Sequence, residues 1–250
     1  MFKKLFMNKV WTVSVLFAIS VALYGIDFSI FGNLREISAS FLGNLAFLPI
    51  YIIVVTLLFE KVLRERERQS VMRKLNMVIG VFFSEFGNHL LKELSVHVAG
   101  SEELKKHLRM TGSWKKEDFD ASLDFLRQSN QRISIDRDAL TSLKQFMAGK
   151  RSFLLSLLEN QNLFEHENFT DLLWAVFHLT EELKARESFD RMPPSDKEHI
   201  NGDIKRVFAH LIREWILYMQ HLKEDYPYLF SLAVRLNPMI DSPDPVVYQE

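Results

Sequence analysis

Two long apolar stretches stand near the N-terminus, and no stretch like them occurs in the rest of the chain. They cover Val10–Phe31 and Leu42–Phe59. About 20 helical residues, rising 1.5 Å each, cross a hydrocarbon core of about 30 Å. The link between the stretches, residues 32–41, is short and polar, and two helices joined in this way satisfy their backbone polar groups within lipid. The pattern therefore predicts a transmembrane hairpin over residues 1–60.

Lysine and arginine residues flank the two predicted spans unevenly. The link carries Arg35 alone, whereas the basic residues outside the spans are Lys3, Lys4, Lys9, Lys61, Arg64, Arg66, Arg68, Arg73 and Lys74. Basic residues concentrate in the cytoplasmic loops of membrane proteins. We therefore expect a multi-pass protein of the cytoplasmic (inner) membrane with both termini in the cytoplasm and the lipid bilayer as one partner.

The first span leaves two alternatives open. Residues 1–25 have the basic and apolar regions of a secretory signal, but no clean cleavage site follows and a second span comes directly after. Asp27 lies within the apolar stretch, and intramembrane carboxylates often belong to ion or proton paths. Because the link begins shortly afterwards, the interpretation that we favour places Asp27 near the outer headgroups, where it ends the span.

The polar pattern changes to a helical stripe after the second span. Residues 60–74 interleave Glu with Lys and Arg, which is typical of a solvated helix. Apolar residues then recur at intervals of three and four, from Val71 to Leu94, as on one face of an amphipathic helix. We expect a juxtamembrane long helix over residues 61–98, without the strict heptads of a coiled coil. The sequence leaves open whether this helix is continuous with the second span.

The pattern over residues 99–238 predicts a cytoplasmic helical bundle of about five or six helices. We expect helix caps at Ser113, at Asp136 and at Asn168 or Thr170, because short polar side chains favour those positions. The helix that starts at Asp136 is expected to reach Glu159. A last short helix is predicted over Tyr228–Leu236, and residues 239–250 read as a loose C-terminal tail.

Composition narrows the functions that this all-α chain can have. Lys and Arg number 31 against 32 Asp and Glu, for a formal net charge of −1, so no electrostatic footprint predicts a nucleic-acid partner. The absence of Cys excludes disulfides, zinc–thiolate sites and thiol catalysis. No Gly-rich phosphate loop, nucleophile elbow or paired nucleophile and base is present, so no cofactor and no catalytic residue is predicted.

A metal site is the one chemical alternative that the residues leave open. Carboxylates and imidazoles that project from several helices into one bundle are how di-iron and di-manganese sites are built. The characteristic Glu-x-x-His motif does not occur on two helices here, and helical spacings of His and acids arise by chance. The candidate ligands are Glu85, His89, His178, Glu182, His210 and Glu214.

The C-terminal stretch His221–Pro238 is the most distinctive local sequence, a helix followed by a Pro break and an aromatic amphipathic helix. Together with the two-span N-terminus, it resembles an uncharacterised family of small prokaryotic proteins with two transmembrane helices and a cytoplasmic helical domain. The resemblance covers mainly the termini. It implies the topology described above and supplies no activity or functional residues.

Function is therefore predicted from what the chain contains and lacks. We expect a membrane-anchored interaction, signalling or scaffold module that binds a protein partner or itself. The sequence favours such a module over an enzyme. A partner surface of this kind would show as an exposed apolar patch on the bundle or its last helix. The alternatives are a subunit of an oligomeric channel or transporter, which would place Asp27 at its axis, and a metal-binding helical-bundle enzyme.

Overall fold

The computed structural model describes residues 2–32, 34–129, 132–160, 163 and 165–247. Within these ranges the regular structure is helical, and the strand-like pairing is one isolated antiparallel bridge between Val98 and Ile133. The prediction of an all-α protein is confirmed. The helices are α1 (Phe2–Phe31), α2 (Leu34–Phe82), a π-helical turn (Phe83–Gly87), α3 (Asn88–Ser95), α4 (Ser101–Leu108), α5 (Lys116–Gln128), α6 (Arg137–Gly149), α7 (Arg151–Leu158), α8 (Glu167–Ala185), α9 (Pro194–Asp225) and α10 (Pro227–Arg235).

The chain divides into two compact units, Met1–Glu67 and Arg68–Glu250. This division differs from the predicted one, which separated a juxtamembrane helix at residues 61–98 from the bundle at 99–238. The reason is burial: from Leu75 to Leu94 the apolar stripe belongs to the same hydrophobic core as the later helices. The part of this segment from Leu75 onwards is therefore packed into the bundle.

The N-terminal unit consists of α1 and the first part of α2. Helix α1 ends at Phe31. Gly32 follows it with a φ of +63°, a left-handed conformation that glycine adopts without strain, and the Gly32 N–H donates to the Phe28 carbonyl at 2.9 Å. The Tyr24 and Phe41 rings meet edge-on, with centroids 6.2 Å apart, so the helices pack together next to the turn. The predicted ten-residue link is helical from Leu34 onwards. Met1 and Asn33 of the predicted hairpin lie outside the described residues.

One helical stretch in the described residues is long and apolar enough to cross a membrane. It runs from Ser38 to Ser95 and contains an 18-residue apolar window in which no residue is buried. Helix α1 contributes a shorter apolar segment, Phe17–Ile30. Phe17–Ile30 lies within the first predicted span and Ser38–Ser95 includes the second, whereas the predicted transmembrane hairpin itself stays a prediction.

Helix α9 is the centre of the C-terminal unit. Its buried side chains follow the helical repeat, so one continuous face carries Ile200, Ile204, Val207, Phe208, Leu211, Ile212, Trp215, Ile216, Met219 and Leu222. This face contacts α8 most extensively and also α3, α5 and α10. An apolar stripe this long requires neighbours along its whole length, which is why the shorter helices are arranged around it.

The last residues of the C-terminal unit fold back onto α4. The buried Asn237 side chain donates from Nδ2 to the Leu108 carbonyl at 2.9 Å and accepts the Met239 N–H at 2.8 Å. Met239 is itself buried, and Lys105 pairs with Asp241 at 2.9 Å. The predicted loose tail, 239–250, is therefore anchored at its beginning, and its residues 248–250 lie outside the described residues.

Candidate functional site

The π-helical turn brings an unusual density of aromatic side chains into the core. Phe83 stacks on Tyr218, Phe86 stacks on Phe146, and the two ring centroids are 5.1 Å apart in each pair. A Cβ at Gly87 would lie 2.6 Å from Phe83 Cδ1 and 2.9 Å from Phe82 Cε1. Glycine is therefore required where the helix widens, and such single-turn π insertions occur frequently at functional sites.

A cavity of about 200 Å³ lies between this turn, α9 and α10. Its walls are mostly apolar, with Trp215 and Met219 on α9 and Leu232 and Leu236 on α10. Ser84 and Asn88 supply polar atoms from the turn and the start of α3. A mostly apolar recess with a few polar groups is the usual composition of a small binding site.

Asn88 Oδ1 is a buried acceptor that has no hydrogen-bond partner among the described residues. A buried polar atom left in this state costs about 1–3 kcal/mol, so proteins rarely retain one without a reason. Asn88 is among the residues that line the cavity, but this oxygen is enclosed by protein atoms. The unpaired acceptor is therefore a feature of the packing around the start of α3 and is not exposed to the cavity.

Helix α10 forms an exposed apolar rim beside the cavity. Tyr228 is 71% exposed, and Leu229, Leu232 and Leu236 are each about two-fifths exposed although they are large and apolar. Leu229, Leu232 and Leu236 also line the cavity, so the rim and the recess form one surface. An exposed apolar patch on the last helix is what the sequence predicts for a partner surface, and binding of a partner there stays a prediction.

The metal-ligand candidates on α8 lie beside two residues that the sequence analysis did not select. His178 Nε2 lies 3.3 Å from Asp203 Oδ2, and His199 Nε2 lies 3.5 Å from the same oxygen. Glu182 Oε2 lies 3.9 Å from His199 Nε2. The cluster therefore combines a His–carboxylate pair spaced by four on α8 with another on α9.

Arginines already neutralise the carboxylates of this cluster. Arg186 binds Glu182 at 2.7 Å and holds its pKa below the ordinary value, while Arg206 donates to Asp203 Oδ1 at 2.9 Å. Among the described residues, no group of three or more His, Asp or Glu side chains is arranged to hold a metal ion. The arrangement as it stands is an ion-pair network that joins α8 to α9.

Glu85 and His89 do not join that cluster. Glu85 is exposed on the π-helical turn, where its Oε2 lies 3.4 Å from Lys150 Nζ. The His89 ring packs against Phe146, with centroids 4.2 Å apart. Both side chains therefore have partners typical of a helix surface rather than of a ligand set.

Glu214 is buried on α9, with 2% of its side chain exposed, and burial raises its pKa to about 7. His166 Nε2 lies 4.0 Å from Glu214 Oε2, while His166 Nδ1 accepts the Phe169 N–H. The neutral imidazole therefore carries its proton on Nε2, facing the carboxyl group. Burial lowers the pKa of His166, and that of the half-buried His210 as well.

Asp27 belongs to the N-terminal unit, near the end of α1, where its side chain is half-buried. It lies close to the turn at Gly32, which is compatible with the expected position near the headgroups. Whether Asp27 has a function in the membrane stays a prediction.

Four residues of these sites were not predicted from the sequence: Asn88, His166, His199 and Asp203. For Asp203 and His199 a signal existed, because their spacing of four repeats the spacing of His178 and Glu182. For Asn88 there was none, since nothing in a sequence marks an amide whose acceptor will be left unpaired. His166 was hidden because imidazole is an uncommon helix cap.

Comparison with known proteins places both parts of the chain in one group. Residues 71–235 match the family model described as "Uncharacterized protein MJ1433, C-terminal helical domain", and residues 3–63 match "MJ1433, N-terminal helical domain". The chain is 41% identical over 220 residues to "Uncharacterized protein MJ1433" of Methanocaldococcus jannaschii, which covers 88% of each chain. No solved structure matches.

Proposed function

Since the chain belongs to the MJ1433 family of helical proteins, we propose that it is a membrane-anchored module whose C-terminal unit binds a protein partner. In this proposal the N-terminal unit spans the cytoplasmic membrane and the C-terminal unit faces the cytoplasm. The role is that of a scaffold or signalling element, and the helices present a surface rather than a reaction centre.

The unburied apolar window of α2 is the observation that carries the proposal. Apolar area that no protein atom covers is costly in water, at about 25 cal/mol per Å², and 18 consecutive residues of this kind match the thickness of a bilayer core. A core helix of a soluble protein would be buried in its own fold. Lipid is therefore the cover that best explains the composition and exposure of this segment.

The apolar rim of α10 and the recess beside it support the second part of the proposal. Exposed contiguous apolar surface on a protein of balanced charge is typical of an interaction site. The side chains of the rim hold no nucleophile paired with a base, and the recess is lined by polar groups of Ser84, Asn88, Trp215 and Tyr218. These groups are suited to recognition.

The absence of cysteine makes the topology directly testable. Single cysteines introduced by Ser40→Cys and Ser242→Cys stand at exposed positions in the two units. A maleimide that does not cross membranes should label the Ser40→Cys protein in intact cells, because the link is expected outside. The Ser242→Cys protein should be labelled after the cells are opened, and the cysteine-free parent serves as the blank.

Two results would contradict the proposed anchoring. One is recovery of the protein in the soluble fraction after alkaline extraction of the membranes. The other is equal labelling of both cysteines in intact cells, which would place both units on the same side. Labelling of the Ser242→Cys protein alone would reverse the orientation derived from the basic residues.

A further inference from the structure

We propose that a second recess, which lies between α5 and α9, binds a partner segment in which one apolar residue is flanked by two acidic residues. This α5–α9 recess shares no lining residue with the recess beside α10, so the proposal goes beyond the anchor and the rim of α10. Three observations support it: the volume of the α5–α9 recess, its apolar walls and the cations of α9 that border it.

The walls of the α5–α9 recess are mostly apolar. Leu123 and Leu126 on α5 are half-buried, and Ile212 on α9 is buried. The volume is about 190 Å³, and an apolar protein cavity of about 150 Å³ is enough to hold benzene. The recess therefore has room for one leucine or phenylalanine side chain of a partner.

Ala209 leaves this space open. It is exposed on α9, four residues after Lys205 and four residues before Arg213, so the three side chains are neighbours along one side of the helix. Eight helical residues rise about 12 Å. The two cations therefore stand at the ends of a strip of about this length, with the small residue between them.

Lys205 and Arg213 supply the charge that selects the ligand. None of the described residues that line the α5–α9 recess is acidic. Arg213 donates to the Asn168 amide oxygen at 2.9 Å, and this acceptor is neutral, so the guanidinium keeps its positive charge. Arg127 also lines the recess, but it pairs with Asp124 at 2.9 Å, so a ligand would meet little net charge there. Cations at both ends of an apolar strip are complementary to a ligand that has two anionic groups with an apolar group between them.

The spacing of the two cations defines the order of residues in the partner. In an extended chain, alternate side chains share a face and each residue advances about 3.3 Å, so acidic residues four apart stand about 13 Å apart with a residue midway on the same face. This distance matches the strip of about 12 Å between Lys205 and Arg213. The predicted segment is therefore acidic–x–apolar–x–acidic. A phospholipid, in contrast, carries its charge at one end of its apolar chains and would reach one of the two cations.

The test uses the full chain in phosphatidylcholine nanodiscs, with fluorescent peptides as probes. The peptide Glu-Ser-Phe-Ser-Glu has the predicted order, whereas Ser-Glu-Phe-Glu-Ser has the same composition with its acidic residues about 7 Å apart. Fluorescence anisotropy should show that the first peptide binds about fivefold more tightly, which is the gain expected from one exposed ion pair. Its affinity should fall as the salt concentration rises, because exposed charges are screened.

Single substitutions locate the site. Ala209→Phe fills the recess and should abolish binding of the Glu-Ser-Phe-Ser-Glu peptide, whereas Lys205→Gln and Arg213→Gln should each weaken it about fivefold. Lys197→Gln is the matched control, because Lys197 is an exposed cation on the same helix that does not line the recess. An unchanged thermal midpoint shows that a variant has folded.

Reversal of both charges separates pairing with the ligand from a structural role. The double variant Lys205→Glu with Arg213→Glu should no longer bind the Glu-Ser-Phe-Ser-Glu peptide, and it should instead bind Lys-Ser-Phe-Ser-Lys. Two residues that only supported the fold would not produce this exchange of preference.

The inference is overturned if the parent binds neither peptide or binds the two peptides of equal composition equally well, or if Ala209→Phe leaves binding intact. An equal loss of affinity in the Lys197→Gln protein would also overturn it, since the attraction would then be a general effect of charge. Displacement of the peptide by soluble short-chain phosphatidylserine would assign the recess to a lipid instead. The labelling of Ser40→Cys and Ser242→Cys reads the membrane anchor independently, so failure of the anchor and failure of the peptide site are distinguishable.

Discussion

The carboxyl group of Glu214 makes the stability of the C-terminal unit depend on pH. Its pKa is about 7 in the folded protein and near 4.5 when exposed, so the folded state holds an extra proton between these values. Stability from the neutral form is therefore complete below pH 4.5 and is lost as the pH rises through 7. The loss approaches about 3 kcal/mol, from 1.36 kcal/mol for each pH unit.

We predict that Glu214→Gln removes this loss. At pH 8 the variant should be more stable than the parent by about 3 kcal/mol, which raises the thermal midpoint by about 6–12 °C, and at pH 4.5 the two should coincide. The difference in thermal midpoint is measured at both pH values by thermal unfolding, monitored by circular dichroism. Glu224→Gln, an exposed carboxylate on the same helix, is the control and should have no effect. Parallel pH profiles of variant and parent would contradict the prediction.

Gly87 is the second residue for which the structure gives a specific prediction of stability. Because an added Cβ would meet Phe83 and Phe82 at 2.6 and 2.9 Å, Gly87→Ala should destabilise the C-terminal unit by about 1–3 kcal/mol through overpacking. Gly80→Ala is the matched control on the preceding turns, since its Cβ would lie 3.4 Å from Tyr218 Oη. That control should be neutral or slightly stabilising. Equal thermal midpoints for the two variants would show that the glycine at 87 is not required.

At the scale of elements, Arg186 joins the end of α8 to the start of α9. It binds Glu182 at 2.7 Å and Asp196 at 2.6 Å, and these hydrogen bonds hold the pKa of both carboxyl groups below their ordinary values. Groups with lowered pKa values contribute stability at neutral pH, which is lost as the pH falls through the folded-state pKa. The connection is therefore sensitive to acid.

We predict that Arg186→Gln lowers the thermal midpoint at pH 7, and that the difference from the parent shrinks as the pH is lowered until the carboxyl groups are protonated. Arg127→Gln is the control, because Arg127 pairs with Asp124 at an exposed site where an ion pair contributes little. A difference that persists undiminished in acid would mean that Arg186 acts through packing of its stem rather than through its charge.

Helices could be predicted from the sequence wherever apolar periodicity and a short polar cap agreed. Asp136 is such a case, since its Oδ1 accepts the Ala139 N–H as expected. The cap expected at Ser113 was wrong, because α5 begins later, where Asp118 accepts the Lys115 N–H. The helix expected to run from Asp136 to Glu159 was wrong in its continuity, since it breaks at Lys150, directly after Gly149 at the end of α6.

The cap of α8 shows how tertiary contacts override local preference. Neither Asn168 nor Thr170 caps the helix. The Thr170 hydroxyl donates to the Leu163 and His166 carbonyls, and His166 occupies the cap position instead. The Asn168 side chain accepts a hydrogen bond from Arg213 at 2.9 Å and does not cap the helix either. Local rules cannot anticipate such partners, because the competing groups come from other segments.

Only one part of the candidate site could be predicted from the sequence, for a similar reason. The amphipathic character of α10 is evident from the sequence, and with it the expectation of an apolar surface. The recess depends on a π-helical insertion and on residues of α9 and α10 that the fold brings beside it, so no window of the sequence contains it. The Asn88 oxygen is unpaired because of how these elements pack around it, and the sequence alone does not reveal this.

At the scale of the molecule, the hydrophobic core formed by the described residues lies within the C-terminal unit, from Leu75 to Met239. We therefore predict that a chain beginning at Arg68 folds without detergent, with a helical circular dichroism spectrum and a cooperative thermal transition. The full chain should require detergent or lipid. Aggregation of the shortened chain, or a transition without cooperativity, would show that the N-terminal unit is needed for folding.

The subunit number separates the proposed module from a pore. One pair of helices cannot enclose an aqueous path, so a channel would need several copies. We predict that light scattering on the purified protein, with the detergent contribution subtracted, gives the mass of one or two chains. A closed assembly of four or more would favour the channel alternative and would make the conductance of Asp27→Asn the next measurement.

The stacking of Phe83 on Tyr218 has a consequence for how the protein is made. The two rings stand at opposite ends of the C-terminal unit in the chain, so the ribosome adds the second more than a hundred residues after the first. At about 5–20 residues per second, the early aromatic residues wait for roughly 10 seconds before their partner exists. Nascent chains that stall before α9 is complete therefore present Phe82, Phe83 and Phe86 to whatever holds unfinished proteins in the cell.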